Sequence, residues 1–142
     1  MEKESEKLRA VVIQGWVGML FLLIMMILTD LIEFGMRGDF SPLIKDPGIG
    51  GLWFIAAVTS VSVIVQMFLR TQDARSCRWA FFVVTVAYTS VFVAHQVIHI
   101  FSGEGFDIHF LLDVTHHSLG VWASIAAYRW AKLGSSYKAQ TC

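Results

Sequence analysis

Charge is what this sequence has least of. Only 15% of its 142 residues are Asp, Glu, Lys or Arg, against roughly a quarter in an ordinary soluble domain. Eleven bases and eleven acids cancel to a formal net charge of zero, which excludes the broad positive field of a nucleic-acid binder. Two cysteines, Cys77 and Cys142, are too few for a disulfide scaffold or a four-thiolate metal centre, and neither belongs to a C-x-x-C pair. Repeats and low-complexity tracts are absent as well, which excludes a solenoid. What is present is apolar: 56% of the residues are hydrophobic and the mean hydropathy is +0.61, the composition of a membrane protein.

Charge-free runs divide the chain. Residues 10–29 hold no Asp, Glu, Lys or Arg, and about twenty apolar residues at 1.5 Å each span a hydrocarbon core of roughly 30 Å. This run is longer than a signal-peptide core and has no clear A-x-A cleavage site, so it reads as a retained anchor. A second run follows Asp46-Pro47, where proline suits a helix start. The polar link RTQDARSCR separates it from a third, which begins near Trp79 and carries His95 and His99. After SGEG, Asp107 is placed to cap a fourth helix that Lys132 and Gly134 end. The expectation is an all-α, integral membrane four-helix bundle, up-down-up-down, forming one transmembrane domain over 1–142 with helices at about 10–34, 48–69, 78–101 and 107–131.

The neutral total conceals a separation. Lys3, Lys7, Arg9, Arg70, Arg75, Arg78, Arg129, Lys132 and Lys138 fall at one end of such a bundle, whereas only Arg37 and Lys45 fall at the other. With the acids counted, one end carries +5 and the other −5. The positive-inside rule then puts both termini in the cytoplasm and the acidic end outside, in a bacterial inner (plasma) membrane. Trp16, Trp53, Trp79 and Trp130 sit near the run boundaries, where an aromatic belt is expected. Gly15, Gly18 and the Met25-Met26 pair read as packing residues.

All five histidines lie between positions 95 and 117, toward the acidic end. His95 and His99 are i and i+4 on one helical face, which Thr85 and Tyr88 extend inward. On the fourth helix His109, Asp113, His116 and His117 share an arc of about 100°, with Gly120, Ala123 and Ala127 continuing beneath. Asp30 and Glu33 come from the first helix. A carboxylate within the apolar layer costs about 2.5–3.5 kcal/mol and needs a cation, a partner or a proton. Imidazole with carboxylate is the ligand set of zinc, iron or copper(II). The expected site is therefore a transition-metal centre of one or two ions, with His95, His99, His109, Asp113 and His116 as ligands. His117, Asp30 and Glu33 supply further ligands or orient the first, and Tyr88 closes the floor. For Glu33 an i, i+4 pair with Arg37 is the simpler alternative.

Other uses of the same residues remain open. A b-type haem would take His95 or His99 with His116 or His117 as axial ligands, with the small stripe Gly120, Ala123, Ala127 beside the macrocycle, and exchange electrons with quinone. A cofactor-free subunit of a larger membrane complex is the third reading. No serine or cysteine nucleophile is paired with a base, so an enzyme of this kind would be a metal-dependent membrane oxidoreductase. The partners expected are the lipid bilayer and either further copies of the chain or a larger membrane complex, with no nucleic acid.

The strings His95-x-x-x-His99 and Asp113-x-x-His116-His117 resemble two of the histidine boxes of membrane-bound di-iron hydroxylases and desaturases. The resemblance implies metal ligation by those residues. Here aspartate replaces the first histidine of the second box, there is no third box, and the cluster faces outward where that family's faces the cytoplasm.

Overall fold

The computed structural model describes residues 2–38, 49–102 and 108–133, and within them all side chains but those of residues 2, 49–55, 99 and 102. Among the described residues there are four helices and no strand: α1 (Glu2–Arg37), α2 (Ile49–Thr71), α3 (Arg75–Ser102) and α4 (Ile108–Lys132). The expected all-α, four-helix fold is what the chain forms. Asp46, Pro47, Asp107 and Gly134, read as helix boundaries, lie outside the described residues.

α1 begins eight residues before its charge-free run. The segment EKESEKLR is rich in Glu, Lys and Leu, which favour helix, and three of its residues are tied down. The Trp130 indole donates to Ser5 Oγ at 3.0 Å, Leu8 packs on the core, and the Arg9 guanidinium donates to the Leu69 carbonyl near the end of α2. Absence of charge marks a span within a helix, whereas the helix runs as far as its contacts hold it.

Those contacts also fix the direction of each helix. Ser5, Leu69, Arg78 and Trp130 meet at one end, and Asp30 meets His109 at the other, so the helices run up, down, up and down. α1 packs most extensively on α4, α3 packs on α4, and α2 leans chiefly on α1. The approaches of α1 and α3 to α4 depend on small residues: a Cβ at Gly15 would lie 2.6 Å from Ala123 Cβ, and one at Gly120 would lie 2.6 Å from Thr89 Oγ1 of α3 and 3.3 Å from Met19 Sδ of α1. Small residues at a crossing let two helix backbones approach this closely. Around it gather Val12, Trp16, Met19, Ala123, Ala127 and Trp130, all fully buried.

Two tryptophans depart from the expected belt. Trp16 and Trp130 are fully buried, Trp16 donating to Thr85 Oγ1 at 3.1 Å and Trp130 to Ser5. Each indole N–H has an internal hydroxyl partner, which removes the usual reason for a tryptophan to seek the interface. Trp79, half-buried, packs edge-on against Phe82 and Tyr128.

Arg78 closes this end of the bundle and is fully buried. It donates to both carboxylate oxygens of Asp73 (3.0 and 2.9 Å), to the Asp73 carbonyl (3.1 Å) and to the carbonyls of Trp130 (3.4 Å) and Leu133 (3.2 Å), while lying over the Trp130 ring. A planar fork of five N–H donors can serve the α2–α3 link and the last turn of α4 together.

Two expectations follow. Gly15→Leu forces α1 away from α4 and lowers stability by about 1–3 kcal/mol; an unchanged midpoint of thermal unfolding in detergent would contradict the packing. Arg78→Met costs about 2–3 kcal/mol, below the full cost of breaking a buried pair because Asp73 keeps access to water. Arg78→Lys does not restore the midpoint, since an ammonium cannot span the same partners.

Candidate functional site

At the acidic end, α1 and α4 bring three predicted residues together. His109 Nε2 lies 3.4 Å from Asp30 Oδ1 and 3.9 Å from Glu33 Oε2. Asp30 and Glu33 are i and i+3 and so project from the same side of α1. Glu33 also pairs with Arg37 through its other oxygen, so the simpler alternative drawn from the i, i+4 spacing is met. The imidazole is about three-quarters buried and the two carboxylates are half-exposed, which leaves the trio open to ions from outside the bundle.

A second group lies deeper, where all four helices converge. Tyr88 of α3 sets its hydroxyl 3.5 Å from His116 Nε2 of α4, shares a hydrogen bond with Ser62 of α2, and turns its ring against Trp16 of α1 at 4.8 Å between centroids. His116 is fully buried. Phe92 stands 4.6 Å from its ring and His117 stands 5.6 Å away, edge-on. Tyr88 thus lies against His116, hydroxyl to imidazole. Among the described residues, the buried atoms without a hydrogen-bond partner include His116 Nδ1, His117 Nε2, Gln96 Oε1 and Thr89 Oγ1. Such atoms carry the full cost of desolvation.

His95 is exposed and Asp113 is half-buried, and the His99 side chain lies outside the described residues. The inward face of α3 runs through Thr85, Tyr88, Phe92 and Gln96, so it passes His95 by one position. Among the described residues no three His, Cys, Asp or Glu side chains are arranged to hold a metal ion. The small stripe proposed to admit a macrocycle is occupied: Gly120 meets Thr89 and Met19, and Ala123 meets Gly15.

Gln96 and Arg78 were not singled out from the sequence. Gln96 had a signal, since 88, 92 and 96 follow the i, i+4 rule from Tyr88. Arg78 had none, being one base among nine at its end. Comparison of the chain with protein families, curated proteins and solved structures finds no match.

The Tyr88 hydroxyl links α2 to α4, so Tyr88→Phe is expected to cost about 1 kcal/mol with the ring packing kept. Thermal unfolding of the variant checks this, and a cost near zero would show that the hydroxyl contributes nothing between Ser62 and His116.

Proposed function

We propose that the protein is an integral membrane bundle that holds a transition-metal ion at its acidic, non-cytoplasmic end. Its lipid-facing surface is supported by the large apolar side chains that all four helices leave exposed, among them Phe21, Ile32, Met67, Val83, Ile98 and Leu111, far more than a water-facing surface ordinarily carries. Two helices, over Lys3–Arg37 and Arg75–Ile98, are long and apolar enough to cross a membrane, and Ala56–Thr71 adds a shorter apolar stretch. The basic end, with Arg9, Arg70, Arg75, Arg129 and Lys132, is the cytoplasmic one.

The observation that carries the metal reading is the approach of His109 to Asp30, with Glu33 beside them; the three are not arranged as a ligand set as they stand, so an ion would draw them together. Two ligands of one tetrahedral ion, each about 2.1 Å from it, stand about 3.4 Å apart, which is the His109–Asp30 separation. Glu33, at 3.9 Å, would exchange Arg37 for the ion by a side-chain rotation. Imidazole with two carboxylates suits zinc, iron or copper, and iron or copper would make the site redox-active. His116 and His117, packed against Tyr88 and Phe92, stand apart from this set. Their aromatic surroundings and the filled small stripe disfavour the haem alternative.

Protein purified in detergent without a polyhistidine tag, loaded with Zn²⁺ and desalted, is expected to retain about one ion per chain. His109→Ala and Asp30→Asn should each weaken retention roughly tenfold or more, with the helical circular dichroism unchanged. No retention above a buffer control, or retention equal to wild type in both variants, would falsify the reading and leave the trio as an ion-paired clasp between α1 and α4.

A further inference from the structure

α3 and α4 leave two adjoining grooves along their outer faces. The one nearer the acidic end, about 460 Å³, has apolar walls from Val93, Val97, Val114 and Val121 and polar groups from Gln96 and His117. The second, about 440 Å³, shares Val93 and Val121 and continues past Ala94 and Ile125. Volumes of this size accept a substituted ring and part of a chain.

The polar groups of the first groove are unmet. Gln96 is only 8% exposed, and its Oε1 has no hydrogen-bond partner, nor has His117 Nε2. Ser118, the serine that lines this groove, is committed to the Val114 carbonyl in its own helix. A buried amide oxygen without a donor is costly, and a membrane offers little water to supply one. Among the described residues no Lys, Arg, Asp or Glu lines either groove, so a phosphate headgroup would meet no counter-charge from them.

We propose that this groove binds an isoprenoid hydroquinone. One ring hydroxyl donates to Gln96 Oε1 and lies beside His117 Nε2, which accepts or donates according to its tautomer. The ring rests between Val93, Val97, Val114 and Val121, and the single tail follows Val93 and Val121 into the second groove. A quinol is favoured over a lipid alcohol such as a diacylglycerol because the slot between two helices takes one tail. Diacylglycerol would also bring two ester carbonyls to a first groove whose lining hydroxyl, Ser118, already donates within its own helix. The proposal concerns residues apart from His109, Asp30 and Glu33, so it stands or falls independently of the metal ion.

The test uses the full chain in phosphatidylcholine nanodiscs, with retention of three probes compared against empty discs under anaerobic conditions: a decyl-tailed benzoquinol, its dimethyl ether, and dioctanoylglycerol. Saturable retention of the quinol at one molecule per chain is expected. The dimethyl ether, which lacks the donor, should bind at least tenfold more weakly, as should the quinol to Gln96→Leu. The ether comparison needs no variant, so it holds even if Gln96→Leu fails to fold. Retention no greater than in empty discs, equal retention of quinol and ether, or preference for dioctanoylglycerol would each overturn the proposal.

Discussion

The backbone of α1 meets that of α4 at Gly15 and Ala123, and the positions of both polar groups follow from that contact. Two antiparallel helices that touch at one level are in register at every other. From Gly15 to Asp30 is fifteen residues and from Ala123 back to His109 is fourteen, or about 22 and 21 Å at 1.5 Å per residue. Asp30 therefore arrives opposite His109 as a consequence of the crossing point. The same closeness lets Trp16 reach across to Thr85 and lie against Tyr88, so the central hydroxyl and imidazole network is a product of it too. A side chain at position 15 would separate these groups together.

The two ends of the bundle handle charge in opposite ways. At the basic end, Arg9 donates to a carbonyl near the end of α2 and Arg78 to carbonyls near the end of α4, where a cation complements the helix dipole. These charges are absorbed into the fold. At the acidic end, Asp30 and Glu33 lie close to the C-terminus of α1, where the dipole disfavours negative charge. Positive groups close to them include Arg37, paired with Glu33, and His109, near both. That imbalance is the electrostatic reason for expecting a cation to be attracted to this end and not to the other.

The order, direction and approximate extent of the helices were legible in the sequence because short polar links separate its long charge-free runs. Side-chain facing was harder to read. Trp16 and Trp130 lie at the depths expected of a belt yet point inward, since depth follows from position along a helix whereas facing depends on where its neighbours stand. Gly120, Ala123 and Ala127 were correctly read as a stripe of small residues, but smallness is equally a slot for a ligand or a seat for another helix; Gly15 and Met19 take that seat. Arg78 was counted as a surface base because nothing local distinguishes it. Its burial depends on Trp130 and Leu133, more than fifty residues away.

The histidine cluster shows most clearly how a sequence pattern changes meaning in three dimensions. His109 and His116 share a helical face, being seven residues apart, and on a helical wheel they coincide to within about 20°. Along the helix axis they are about 10 Å apart, several times the reach of one metal ion to its ligands. One ion cannot engage both imidazoles, so the cluster divides by depth. The shallow member joins carboxylates that an ion from outside can reach, while the deep member joins Tyr88, Ser62 and Phe92, whose chemistry is that of hydrogen bonding and ring packing. Gln96 and His117, with unpaired polar atoms beside an apolar groove, extend the deep group toward the lipid side. On the proposed reading, the shallow group suits an inorganic cation and the deep one an organic, hydrogen-bonding molecule of the bilayer.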